Sequence, residues 1–115
     1  CLGKKYSRKW RIGIQHPRKL QEILFYLELE NQAVATSGDY QQYFSSQGRR
    51  YSHIIDPKSG YPVDNGVISA TIIALDGASS DGLSTSVFVL GKEKGQELAK
   101  SLKGVEARII EEKDI

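Results

Sequence analysis

Three short stretches of this chain hold side chains whose types and spacing could do chemistry. The first is Ser80-Asp81-Gly82-Leu83-Ser84-Thr85. On a helix, Asp81 and Thr85 stand at i and i+4 with Ser84 at i+3, so three oxygens share one face of the first turn. One carboxylate, hydroxyls and waters suit Mg²⁺, a hard cation that wants octahedral oxygen ligands. The same Asp81 also reads as an acidic residue stabilised near a helix N-terminus by the helix dipole alone. Gly82 in that turn costs about 1 kcal/mol relative to Ala, so propensity is not what shapes the helix start. The second stretch is His53-Ile54-Ile55-Asp56-Pro57-Lys58-Ser59-Gly60. On a strand, His53 and Ile55 share one face and Ile54 the other. A His near an Asp can serve as a general base, or simply as a structural or surface His. The third is Ala35-Thr36-Ser37-Gly38-Asp39-Tyr40, where hydroxyls and a glycine at a strand end form either a ligand-holding loop or an ordinary turn.

The elements that must position these residues follow from hydrophobic periodicity. Trp10 to Gln15 alternates, with Trp10, Ile12 and Ile14 on one face of a half-buried strand that ends at His16-Pro17. Ile23 to Glu30 carries Ile23, Phe25, Leu27 and Leu29 at period two; Leu24 and Tyr26 blur the pattern and leave a short helix as the alternative, but a strand is preferred because Asn31-Gln32 then turns into Ala33 to Thr36. Ser37-Gly38-Asp39 reads as a turn. Tyr40 to Phe44 leads into a hairpin loop at Ser45-Ser46-Gln47-Gly48, and Arg49 to Ile55 resumes a strand. Asp56 to Gly60 is a strong turn signal. Val67 to Leu75 is apolar and β-branched enough for a central strand. The period then changes: Leu83, Val87 and Leu90 recur at helical spacing, with Ser79 or Ser80 as the expected N-cap and Gly91 as the stop. Lys92 to Leu102 predicts a second helix, and Val105 to Ile110 a closing strand. Strands, two helices near the C-terminus, then a strand make an α+β domain with a mostly antiparallel sheet, expected to occupy residues 1–115 as one unit.

Composition narrows the classes. The 115 residues are 39% apolar and 26% charged, with a net charge of +2. That is ordinary for a folded domain and argues against wholesale disorder. No apolar run approaches the roughly 20 residues of a membrane span. The polar, basic start does not read as a signal peptide. Lys4, Lys5, Arg8, Lys9 and Arg11 crowd that end, but aromatic interleaving is thin, so a solvated terminus is expected and no nucleic-acid partner. The single cysteine, Cys1, allows no internal disulfide. With Cys1 first and no Met anywhere, the chain is expected to be a piece or a processed form of a longer protein.

Taken in order, the three stretches resemble the FAD:protein FMN transferase family, ApbE. The similarity runs through Trp10 to Gln15, Ala33 to Tyr40, His53 to Pro62, Ser69 to Leu75 and Asp81 to Gly91. The resemblance implies magnesium-dependent transfer of FMN from FAD to a Thr or Ser hydroxyl of a target protein, with release of AMP. It further implies His53 as the residue assisting phosphoryl transfer and Ile55 as an FAD contact. Thr36, Ser37 and Gly38 would line the flavin site, and Asp81, Ser84 and Thr85 would surround Mg²⁺. Partners implied are FAD, a flavin-accepting protein, and an N-terminal segment or second copy to complete the site. The location implied is exported, periplasmic or as an inner-membrane lipoprotein. A non-catalytic flavin-binding remnant, or a structural piece of the same fold, is the alternative. Because only the last part of the family pattern is matched, strand Val67 to Leu75 is expected to lack a partner, leaving an apolar face exposed or covered by another chain.

Overall fold

The computed structural model describes residues 1–3, 6–40, 43–46, 49–52 and 54–115. Its centre is one strand, β6 (Val67–Ala74), with all eight residues buried. It pairs antiparallel on one side with β3 (Ala33–Gly38) and on the other with β7 (Glu106–Glu111). The expectation that this strand would lack a partner is therefore corrected. A near-continuous apolar run marks a strand covered on both faces, and this chain supplies both covers and both neighbours itself. Within Val67 to Leu75 the one exposed residue is Leu75, just past the strand, at 68%.

One face of the sheet carries two helices, α1 (Gly77–Leu90) and α2 (Lys92–Ser101). Ala70, Ile72 and Ala74 of β6 pack there with Val87 and Phe88 of α1, Ala99 of α2, and Ala107 and Ile109 of β7. The other face is covered by a two-stranded ribbon, β1 (Trp10–Gln15) with β2 (Ile23–Leu29). There Ile14, Leu27 and Leu29 close over Ile73, with Val34 beside them. Alternation predicts both ribbon strands correctly, because only one of their faces is buried. A separate hairpin, β4 (Tyr43–Ser46) with β5 (Arg49–Ser52), pairs Tyr43 with Ser52 and Ser46 with Arg49. All pairings among the described residues are antiparallel, as the α+β reading requires.

Several boundaries move for identifiable reasons. Ser37 and Gly38 lie inside β3 rather than in a turn, since β6 offers them partners at Ala70 and Ser69. Strand Arg49 to Ile55 is interrupted: β5 stops at Ser52, and Ile55 returns only as a bridge to Pro62. Between them the expected turn forms. The N–H of Gly60 reaches the Asp56 carbonyl at 2.8 Å, the N–H of Lys58 reaches Asp56 Oδ1 at 2.9 Å, and Gly60 takes φ 73°. Helix α1 begins at Gly77 and is capped by Asp76, not by Ser79 or Ser80. Asp76 accepts from the Ser79 N–H at 2.7 Å and the Ser79 hydroxyl at 2.9 Å, bonds that hold its carboxyl below the usual range. At the far end, Asn65 Nδ2 donates to the Phe88 and Val89 carbonyls at 2.9 and 3.1 Å, a C-terminal cap supplied from the loop before β6.

Gly95 of α2 is where the helices touch. A β-carbon there would lie 2.7 Å from Val87 Cγ1, 3.1 Å from Ile109 Cδ1 and 3.2 Å from the Val87 carbonyl oxygen. Helix propensity alone would gain about 1 kcal/mol from Gly95→Ala. Overpacking of this contact costs about 1–3 kcal/mol. The packing cost is the larger, so denaturant unfolding of Gly95→Ala should report a protein less stable than the parent.

Candidate functional site

Strand β3 sends successive side chains to opposite faces of the sheet. Thr36 faces away from the helices, and its Oγ1 lies 2.8 Å from Oγ1 of Thr71, its register partner on β6. Ser37 faces α1. Its Oγ lies 2.9 Å from Ser84 Oγ and 3.1 Å from Thr85 Oγ1. Ser84 is 1% exposed and donates its own hydroxyl hydrogen to the Asp81 carbonyl at 2.8 Å. Two of the three sequence stretches are thus joined physically, through a serine of β3 and a Ser-Thr pair of α1.

The position of Asp81 separates its two readings. With Gly77 as the first helical residue, Asp81 stands in the second turn, not the first. The dipole effect fades beyond the first turn, so it explains Asp81 poorly. Asp81 and Thr85 are both exposed and one turn apart, while Ser84 is buried between them and the sheet. Asp81 and Thr85 therefore have oxygens available to an outside cation. Ser84, sealed in and already bonded, supports them from behind. Among the described residues no group of three His, Cys, Asp or Glu side chains gathers to hold a metal. A hard cation here would take one carboxylate and hydroxyl oxygen from this chain and the rest from water or other groups, which fits Mg²⁺ and not a softer ion.

Gly38 and Asp39 complete the end of β3. A β-carbon at Gly38 would run into the Tyr40 ring, so glycine is required by the close approach of that ring. Tyr40 is buried and its hydroxyl is bonded to Ser69; burial raises the phenol above its ordinary value, against the smaller opposing pull of that bond. Asp39 is gripped by Arg18, Nη1 to Oδ1 at 2.8 Å and Nη2 to Oδ2 at 2.9 Å. The same Arg18 Nη2 reaches Glu112 Oε2 at 2.7 Å. These bonds, Asp39's first, raise the already high guanidinium pKa further. Arg18 is aimed by His16, whose Nδ1 accepts from the N–H groups of Arg18 and Lys19 at 3.1 and 3.0 Å. The arginine borders a cleft of about 320 Å³ with Asp39, Asp64, Asn65, Phe88 and Glu112 along its walls.

Of the other expected site residues, Ile55 is 50% exposed beside the buried Ile54, so the predicted alternation holds there. His53 lies outside the described residues. Sequence reading missed Arg18, Asn65 and Asp76. Asp76 carried a signal, being an Asp just ahead of the helix. Arg18 and Asn65 carried none, because their partners lie 21 and 23 residues away.

The ApbE family model matches residues 1–109. This chain belongs to the ApbE family. It is 45% identical to the FAD:protein FMN transferase of Vibrio cholerae over 96 residues, which is 80% of this chain and 28% of that protein. It is 38% identical to the protein of that name from Treponema pallidum, across 96% of this chain and 33% of the relative. Among solved structures, the ApbE protein of Thermotoga maritima superposes with a TM-score of 0.85 at 43% identity, covering 96% of this chain and 36% of that one. The apo flavinyl transferase ApbE of Pseudomonas stutzeri gives 0.70 at 42% identity, covering 90% and 31%. The α+β architecture is thus that of the family, and the chain spans about a third of the length of these relatives.

Two outcomes follow from the end of β3. Arg18→Ala leaves Asp39 without its bidentate partner at a site only 13% exposed, and should cost about 1–3 kcal/mol in urea unfolding. For Tyr40, the raised folded value means that stability is complete below pH about 10 and falls as pH rises through that value, because the unfolded chain ionises first. Tyr40→Phe should remove part of this alkaline loss, read from denaturation midpoints between about pH 9 and 11.

Proposed function

We propose that this chain is the metal-holding part of a magnesium-dependent FAD:protein FMN transferase, which moves FMN from FAD to a Thr or Ser hydroxyl of a target protein and releases AMP. The observation that carries the proposal is the exposed pair Asp81 and Thr85, one helical turn apart and backed by Ser37 and Ser84. The names of the relatives support the same reading.

The chemistry is phosphoryl transfer. The acceptor hydroxyl oxygen bonds to the FMN phosphorus. The bond from that phosphorus to the bridging pyrophosphate oxygen breaks, and AMP leaves with the bridging oxygen. Bound Mg²⁺ would neutralise charge that builds on the pyrophosphate. Asp81 and Thr85 would hold it, with Ser84 supporting them. His53 is assigned the hydroxyl proton. Ile55 and the Thr36-Ser37-Gly38 segment are assigned to the flavin; the hydroxyls of Thr36 and Ser37 are engaged within the protein, so backbone at this sheet edge would be the group offered. FAD, an acceptor protein and an exported or membrane-anchored location belong to the same proposal. Since the chain spans about a third of its relatives, further polypeptide would complete the pocket. A flavin-binding remnant without turnover is the second reading, favoured by that short coverage alone.

The test is a contrast measured in a polypeptide of the relatives' length that carries this segment. His53→Ala should slow FMN transfer by about 10²–10⁴-fold with FAD binding retained. Asp81→Ala should raise both the Mg²⁺ requirement and the KM for FAD. Normal transfer by His53→Ala removes the base assignment. Equal, modest losses in both variants make the two residues structural, whereas no transfer by the parent polypeptide, with FAD still bound, leaves the remnant reading.

A further inference from the structure

Ser37, Ser84 and Thr85 have one hydroxyl hydrogen each, and counting those hydrogens orients all three groups. Ser84 spends its hydrogen on the Asp81 carbonyl, which can only accept. The 2.9 Å bond between Ser84 and Ser37 must then be donated by Ser37. With its hydrogen spent, Ser37 can only accept in the 3.1 Å bond from Thr85. The relay therefore runs one way, Thr85 to Ser37 to Ser84 to the Asp81 carbonyl. Thr85 is exposed. Its hydrogen is directed into the protein and its remaining lone-pair capacity is turned to the surface it shares with Asp81.

We propose that Ser37 is a positioning residue for cation binding, fixing the Thr85 hydroxyl as an outward-facing acceptor. This rests on the reading of Asp81 and Thr85 as the cation-holding pair, and it gives Ser37 a task distinct from lining a flavin pocket. A free hydroxyl rotor would share its time among three staggered wells, in some of which the hydrogen meets the cation. Bonding to Ser37 removes those wells before the ion arrives. The relay also makes the surface a poor anion site, since neither the Asp81 carboxylate nor Thr85 offers a hydrogen outward.

The experiment uses a polypeptide of the relatives' length that carries this segment, with Mn²⁺ as a paramagnetic stand-in for Mg²⁺, its affinity read by electron paramagnetic resonance titration alongside the melting temperature. Thr85→Val and Asp81→Asn should lose most of the binding, and Thr85→Ser should keep it. Ser37→Ala should weaken Mn²⁺ by about three- to tenfold, the cost of restoring the lost rotor states. Ser84→Ala should be at least as damaging. With its acceptor gone, Ser37 turns its hydrogen onto Thr85 and drives the Thr85 hydrogen outward. That variant also serves if Ser37→Ala fails to fold. Parent-like binding by Ser37→Ala, with Thr85→Val impaired, overturns the positioning role and leaves the cation pair standing. Loss in Ser84→Ala alone puts Ser84 on the ion and overturns it too. Parent-like binding by Thr85→Val, or no Mn²⁺ binding by the parent polypeptide, overturns the cation reading and the positioning role with it.

Discussion

Burial of β6 on both faces and along both edges is the constraint from which the rest of the structure follows. Each of its eight residues is buried, so each backbone group must find a partner; β3 and β7 supply most of them, while the Val67 N–H donates to Asn65 Oδ1 and the Ile68 carbonyl accepts from the Asp39 N–H. Each face must also be covered by something apolar. On one side α1 and α2 bring Val87, Phe88 and Ala99; on the other the β1–β2 ribbon brings Ile14, Leu27 and Leu29. Once β3 is locked into register against β6, the direction of every β3 side chain is decided. A slip of one residue would turn Ser37 away from α1 and put Thr36 in its place.

The polar groups are arranged to survive this burial. Ser69, Thr71, Ser80 and Ser84 are all buried, yet among the described residues no buried side-chain polar atom lacks a hydrogen-bond partner. Thr71 meets Thr36, Ser69 meets Tyr40, Ser80 bonds back to the Gly77 carbonyl, and Ser84 sits between Ser37 and Asp81. Such networks are costly when half satisfied and specify a single arrangement when complete. One of these groups, Ser37 with Ser84 and Thr85, also links the strand to the helix that presents Asp81 and Thr85.

The end of β3 is held from outside by charge. Arg18 clasps Asp39 with two parallel bonds and reaches Glu112 with the same guanidinium, tying the loop after β1 to the ends of β3 and β7. A guanidinium can do this because its fork matches a carboxylate edge; a lysine would provide charge without the geometry. Tyr40, folded back over Gly38, closes the same corner by packing. Ser37 thus lies between a hydroxyl relay toward α1 and a clamp just past its own strand end.

Much of this was legible in the order of residues alone. Period-two alternation located β1 and β2, a near-continuous apolar run broken only by Ser69 and Thr71 located β6, and a change to helical spacing located α1, because each of these patterns reports directly which face is covered. The motif order pointed to the family, and the i, i+4 spacing put Asp81 and Thr85 on one helical face. What the sequence could not determine was anything set by a partner distant along the chain. Asp81 moved from the first turn to the second because Asp76 won the cap from Ser79 and Ser80, a competition among residues of nearly equal local preference. Ser37 left its expected turn because β6 offered it a register partner. Arg18, Asn65 and the strand-to-helix bonds of Ser37 arise from contacts spanning 21 to 94 residues, for which no local pattern exists. Local spacing decides which side chains share a face; only the tertiary structure decides what that face meets, because that depends on how separate elements pack.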